Sequence, residues 1–330
     1  MTRVVRFHQT GGPEVLQIED LEVGEPSTDE IRINIEAIGL NRAEVMFRSG
    51  QYLEQPQLPA RIGYEAAGTV DAAGSGVQAF RPGDEVCVMP TFSMNQYGVY
   101  ADQALVPAAS VVKRPAGLSA VESAAVWMPY LTAYGALIDI GGLNRDDTVI
   151  IPAASSSVGL AAIQIANMVG AVPIAATRTN TKKEPLKAAG AAHVIVTEEQ
   201  DIATEIMQIT ANRGARIVFD PVGGPQVVKL AQAMAHDGIL FVYGALSPEP
   251  TPFPTVVALI KSLTMRGYVM MEMASDLLRL ANAQAFIGRG LKDDALKPII
   301  AKTFDLDHIV DAHRYMESNQ QFGKIVVTTH

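Results

Sequence analysis

Apolar and polar residues alternate along Glu30-Ile31-Arg32-Ile33-Asn34-Ile35-Glu36-Ala37, and this period of two predicts a half-buried strand. Glycine and proline punctuate the stretch that follows, at Gly63, Gly68, Gly74, Gly76 and Pro82-Gly83-Asp84, so the first third reads as short strands joined by turns. The pattern changes near residue 120. Ser119 and Glu122 are spaced as a capping box and predict a helix from Ser119 to Gly135. Short apolar runs then alternate with helical ones. Residues 148–151, 172–176, 193–196, 217–220 and 239–243 are strand candidates, and 157–169 and 182–189 are helices between them. Strands alternating with helices make a parallel sheet covered on both faces. After about residue 265 a helix-rich tail turns strand-like at Gly323-Lys324-Ile325-Val326-Val327 and is expected to return to the first domain. Two further apolar runs, Phe253 to Val256 and Tyr268 to Met271, are candidate edge strands through which a second copy would pair. The expected class is α/β: a β-barrel-type domain from residues 1–123 and 266–330, and a doubly wound parallel-sheet domain from 124–265.

A chain of 330 residues can build two ordinary domains. With 48% hydrophobic and 18% charged residues it is globular in composition. A net charge of -9 argues against a nucleic-acid surface. Every apolar run is interrupted well short of the ~18 residues a membrane span needs. Met1 to His8 lacks the apolar stretch of a secretory signal, so the cytoplasm is the simplest location. Cys87 is the single cysteine, which excludes a disulfide framework and any multi-thiolate metal site. It lies in the apolar segment Val86-Cys87-Val88-Met89 and reads as a buried core thiol.

The strongest local signal runs from Thr148 to Ala162: strand, small-residue turn (Ala153-Ala154-Ser155-Ser156-Ser157), helix. Small residues let backbone N–H groups approach a pyrophosphate, and the helix N-terminus favours its charge. Of the G-x-G-x-x-G spacing only Gly159 is present, and an ordinary buried βα turn would look the same. The end of the next strand adds information. A NAD site needs an acid about 20 residues beyond the glycines to hold the ribose hydroxyls. This chain has Thr177-Arg178-Thr179-Asn180-Thr181-Lys182-Lys183 instead. Guanidinium and ammonium groups suit a 2′-phosphate, so the expected cofactor is NADPH. A solvated cationic loop is the competing reading, and it is disfavoured by the cost of placing cations at a helix start.

The order and spacing of several motifs are similar to those of the zinc-free quinone oxidoreductase (zeta-crystallin-like) branch of the medium-chain dehydrogenase/reductase superfamily. They are Gly11-Gly12-Pro13-Glu14-Val15-Leu16, Ile38-Gly39-Leu40-Asn41, Arg48-Ser49-Gly50-Gln51-Tyr52, Gly63-Tyr64-Glu65-Ala66-Ala67-Gly68, Gly83-Asp84-Glu85-Val86, Leu131-Thr132-Ala133-Tyr134, Phe219-Asp220-Pro221-Val222-Gly223-Gly224 and Gly323-Lys324-Ile325-Val326. The resemblance covers nearly the whole chain. It implies a GroES-like first domain and a Rossmann second domain. The superfamily's catalytic zinc is held by two cysteines and a histidine, and the matching positions here are Asn41, Tyr64 and Met128. An amide, a phenol and a thioether do not make a zinc site, and the cysteines of the structural zinc are missing too. No metal is expected. Relatives usually have Gly-Gly where this chain has Ser156-Ser157, and often a tyrosine where it has Thr197.

By this resemblance NADPH is bound by Asn41, Thr132, Ser156, Ser157, Val158, Gly159, Thr177, Arg178, Lys182, Tyr243, Gly244 and Lys324, and lies in a cleft between the domains. Tyr52, Tyr64, Trp127, Met128 and Tyr130 are the substrate-pocket candidates, although burial alone would explain Trp127 and Tyr130. The implied reaction is hydride transfer to a quinone or an α,β-unsaturated carbonyl. Asn41 would donate a hydrogen bond to the developing oxyanion, a contribution worth roughly 3–4 kcal/mol, or would simply cap a helix starting at Arg42. Tyr52 would donate the proton or position the acceptor, or pack on nearby prolines. Alternatives are an enoyl thioester reductase of a biosynthetic pathway and a non-catalytic NADPH-binding sensor or structural protein. A homodimer is expected, as in relatives.

Overall fold

A computed structural model describes residues 1–329. They form two compact units: Met1–Met128 with the chain from Pro298 onward, and Pro129–Lys297. The first unit opens with β1 (Thr2–Phe7), β2 (Gln17–Leu21), β3 (Glu30–Gly39), β4 (Ala60–Arg61), β5 (Glu65–Ala73), β6 (Glu85–Val88), β7 (Gln103–Pro107) and β8 (Val111–Lys113). The second holds β9 (Thr148–Ile151), β10 (Val172–Thr177), β11 (His193–Val196), β12 (Ala215–Asp220), β13 (Met234–Val242) and β14 (Thr264–Gly267). The chain then returns to the first unit with β15 (Ile300–Asp305) and β16 (Lys324–Thr328).

In the first unit β3 is the organising strand. It pairs antiparallel with β5, β7 and β16 in a seven-stranded sheet, while β2, β1 and β4 form a smaller one. The alternation predicted for β3 is real: Ile31, Ile33 and Ile35 are buried in the core with Phe7, Phe47 and Ile62. Among the described residues neither sheet closes on itself, so the domain is barrel-type only in its strand-rich make-up.

The second unit is a six-stranded, all-parallel sheet in the order β11-β10-β9-β12-β13-β14. Strand order reverses at β9, and ligands of such sheets bind at the strand C-termini beside that reversal. The helix Ser157–Val169 follows β9 directly and buries Leu160, Ile163 and Ile165.

Several expectations need revision. The single helix over 119–135 is two, Ala120–Ser123 and Trp127–Tyr134, because Pro129 lacks the N–H that would bond back to residue 125. The second unit runs to Lys297, not 265, and the first runs to Met128, not 123. The segment after β14 stays with the second unit because Arg279 pairs with Asp139 at 2.8 Å, Phe286 packs on Tyr134 at 5.1 Å and Lys297 exchanges hydrogen bonds with Gln164. Neither Phe253–Val256 nor Tyr268–Met271 is a strand. Pro252 and Pro254 remove the donors on either side of Phe253, the helix Thr255–Lys261 begins at once, and Met270–Ala274 is helical. The open edge of the parallel sheet is β14. No helix among the described residues is long and apolar enough to cross a membrane.

Candidate active site

At the end of β3 the chain makes room for a buried ionic cluster. Gly39 pairs with Glu65 on β5 and with Val326 on β16. A Cβ at Gly39 would lie 1.9 Å from the Ala124 carbonyl oxygen and 2.7 Å from Lys324 Cε, so only glycine leaves space for the Lys324 side chain. Lys324 is 1% exposed. Its ammonium donates to Asn41 Oδ1 and to Glu65 Oε2, both at 2.6 Å. The other oxygen of Glu65 accepts the backbone N–H of Met128 at 3.0 Å.

Asn41 precedes the helix Arg42–Arg48. Its backbone N–H donates to Glu44, and its side-chain amide donates to Gly39 O at 3.0 Å and to Glu44 Oε1 at 3.1 Å. Both amide hydrogens are engaged, so donation to a substrate oxyanion requires one of these bonds to break. Glu44 also accepts the Tyr64 N–H at 3.2 Å. Burial pushes the Glu44 carboxyl up to about 7 against the opposing pull of Lys324, and burial raises Glu65 likewise. The backbones at 41, 64 and 128 are thus tied together by two carboxylates and one ammonium. Among the described residues no three His, Cys, Asp or Glu side chains gather as metal ligands.

Tyr52 and Tyr64 come together, with ring centroids 6.3 Å apart and edge to face. Burial holds both phenols above their ordinary pKa, which keeps them protonated at neutral pH. Tyr64 also packs on Phe92 at 5.7 Å, so it fills space as well as offering a hydroxyl. Trp127 is 4% exposed and sits against Cys87, whose thiol burial pushes up to about 12. In the second unit Tyr130 is 2% exposed and its hydroxyl donates to Gln164 at 2.7 Å. Both side chains are buried.

The residues expected at the phosphates lie in the second unit. Ser156 caps the helix Ser157–Val169 by accepting the Gly159 N–H at 3.1 Å. A Cβ at Gly159 would lie 2.6 Å from Ala154 O, which explains the one glycine retained. Ser157 and Val158 form the first turn, and Thr177 is buried at the end of β10. Arg178 is exposed, with its side chain in no ion pair among the described residues. Lys182 ends a 3₁₀ turn and donates to Ser155 Oγ at 3.0 Å. Burial and the neighbouring Arg178 lower its pKa. Adjacent cations of this kind are a ready site for a dianion. Past β13, Tyr243 stacks on Phe219 at 4.0 Å, and its buried hydroxyl, close to Ser156, has no partner in good hydrogen-bond geometry among the described residues. A Cβ at Gly244 would meet Pro221 O at 2.5 Å. Asp220, pushed up to about 6 by burial, accepts the Val222 and Gly223 N–H groups and shapes this strand end. Thr132 is buried in the helix Trp127–Tyr134. The capped helix start, the unpartnered Tyr243 hydroxyl and the paired cations fit a phosphorylated dinucleotide.

Sequence reasoning passed over Glu44, Glu65, Glu54 and Ser155. Glu44 had a signal, since Asn41-x-x-Glu44 is a capping-box spacing. Glu65 had a weaker one, as an acid in a strand of small residues. Glu54 had none, because an acid in a polar loop reads as solvated.

The sequence of the family described as alcohol dehydrogenase GroES-like domain matches residues 27–116, and that of zinc-binding dehydrogenase matches 157–286. The chain is 30% identical to the quinone oxidoreductase of Homo sapiens over 330 residues, covering 99% of this chain and 98% of that one. Among solved structures it is similar to Escherichia coli quinone oxidoreductase complexed with NADPH (TM-score 0.92, 28% identity, 99% of each chain). It is similar to an NAD-dependent alcohol dehydrogenase too (TM-score 0.91, 31% identity, 99% of this chain and 100% of that one).

Proposed function

Because the chain belongs to the zinc-free quinone oxidoreductase branch of the medium-chain dehydrogenase/reductase superfamily, we propose that it is an NADPH-dependent reductase of quinones or α,β-unsaturated carbonyls. The observation that carries the coenzyme assignment is the pair Arg178 and Lys182, which stands where a NADH site places an acid. Lys182, Arg178, Ser155 and Ser156 would hold the phosphates, with Tyr243 alongside.

When bound, NADPH supplies a hydride to an electron-poor acceptor. The chain's own contribution is orientation, exclusion of water and a proton. A quinone asks least of it, because the reduced product is a stabilised phenolate. An enone leaves an enolate, and the protonated phenol of Tyr52 is the group to supply its proton. Lys324 and Glu44 hold the Asn41 side chain in place, with Glu65 holding Lys324. Asn41, Tyr64 and Met128 offer no ligand set for zinc, so the acceptor must be electrophilic without a metal.

The assignment also includes a homodimer, through the open β14 edge and the exposed apolar side chains of Val256, Leu259 and Ile260 on the adjoining helix.

Purified protein mixed with NADPH and benzoquinone, phenanthrenequinone or crotonyl thioester should consume NADPH, and NADH should serve poorly. Arg178→Ala should raise the KM for NADPH roughly tenfold or more while barely changing that for NADH, as expected for one lost charge-assisted bond of about 1.5–3 kcal/mol. Absence of turnover with all three acceptors defeats the enzymatic assignment; equal loss with both coenzymes defeats the phosphate assignment.

A further inference from the structure

The segment between Gly50 and Ala60 carries Tyr52 but contains no helix or strand. Its leucines do not hold it down, since Leu53 is 74% and Leu58 46% exposed. Tyr52 packs on the core, and beyond it the polar anchor is Glu54. The half-buried carboxylate of Glu54 accepts from the Tyr64 hydroxyl at 3.3 Å, the Ser93 hydroxyl, the Met94 N–H at 3.0 Å and the Asn95 side-chain amide at 3.3 Å. Two carboxylate oxygens offer about four acceptor sites, so this group is saturated. Asn95 completes the clasp: its Oδ1 accepts the Gln57 N–H at 2.7 Å and its amide donates to Gln55 O at 2.9 Å. The base of the segment is closed by Gln55 donating to Gly50 O at 3.2 Å.

We propose that Glu54 is a positioning residue that determines how an acceptor ring is held, by clamping the Tyr52 segment and the Tyr64 phenol to the turn Ser93–Asn95. The inference rests on the reading of Tyr52 as an acceptor-side residue. Glu54 acts on Tyr64 directly, by accepting its hydroxyl. It acts on Tyr52 through the backbone two residues away. The rings of Tyr52 and Tyr64 meet edge to face, so a shift of either changes the surface offered to a flat guest. The turn that anchors the clasp lies about 40 residues away in sequence. The far end of the segment is therefore tied to a distant turn by side-chain bonds, with Glu54 at their centre.

The test compares the full-length wild type with Glu54→Gln, which keeps the shape but presents an amide to donors, and with Tyr64→Phe, which removes one donor only. Hydrogen–deuterium exchange of the proteins alone reads the clamp, and steady-state kinetics with phenanthrenequinone read its consequence. Glu54→Gln is expected to speed exchange over residues 51–58 and 93–95 and to raise the acceptor KM roughly tenfold, with the KM for NADPH unchanged. Tyr64→Phe should raise the acceptor KM less and leave exchange at 93–95 as in the wild type. Unchanged exchange in Glu54→Gln overturns the clamp. Faster exchange with an unchanged acceptor KM, or an equal rise in both KM values, overturns its positioning role. A wild type without turnover defeats the reductase reading and with it the assignment of Glu54 to acceptor placement, while exchange still decides whether the clamp exists.

Discussion

Glu44 is a fully buried carboxyl whose only bonded partners among the described residues are donors on Asn41 and Tyr64. Its carboxyl titrates at about 7 in the folded chain, against an ordinary value of 4.5, chiefly because it is buried. A carboxyl whose folded pKa is raised binds its proton more tightly when folded. Its favourable contribution is therefore complete below about pH 4.5 and is lost as pH rises through 7, a change of at most about 3 kcal/mol. Urea unfolding at pH 5 and pH 8 should show this loss in the wild type. In Glu44→Gln the difference between the two pH values should shrink, even though the variant is weaker at pH 5 because its amide nitrogen faces the Asn41 N–H. An identical pH difference in both proteins would contradict the raised carboxyl. The same burial logic applies in reverse to His313, held down at about 3 beside Tyr100 and facing Arg48 and Arg42. It stays neutral in the fold and weakens it as pH falls below about 6.5.

Among the secondary-structure elements, glycines divide by what stands opposite them. Gly39 ends β3 against a carbonyl and a lysine stem, and adding a methyl group there forces backbone apart. Gly288 lies on the exposed side of the helix Leu277–Lys292 with nothing near its absent Cβ. Gly39→Ala should destabilise the protein by about 2–3 kcal/mol or more through overpacking. Gly288→Ala should stabilise it by about 0.5–1 kcal/mol through helix propensity. Thermal unfolding of the two variants measures both, and a Gly39→Ala protein melting with the wild type would show that Lys324 has room to spare. The β9 turn follows the same principle: Gly159 alone is retained because only there does the helix press on Ala154, while Ser156 uses its hydroxyl to cap that helix. The serines in place of glycines thus fit the element that they begin.

For the whole molecule, the proposed assembly of two chains would use the sheet edge at β14 and the exposed Val256, Leu259 and Ile260. Light scattering should return twice the chain mass. The double substitution Leu259→Asp with Ile260→Asp should return one chain mass with the far-ultraviolet spectrum unchanged, because those side chains are exposed within one chain. A wild type that is monomeric at assay concentration removes the assignment. Much of this architecture was legible from residue order alone. Period-two alternation in β3, the strand–turn–helix after Thr148 and the cations at 178 and 182 are local patterns, and local patterns follow from backbone geometry and from which face meets the core. The edge strand was misplaced because an apolar run such as Phe253–Val256 does not reveal whether its backbone donors have a partner. The cluster around Lys324 was out of reach for a related reason. Lys324 and Asn41 are 283 residues apart, and Lys324 and Glu65 are 259 apart. A buried charge declares its partners only when folded strands bring them within hydrogen-bonding distance, so composition and spacing could supply the acids and the base, and three-dimensional packing alone could match them.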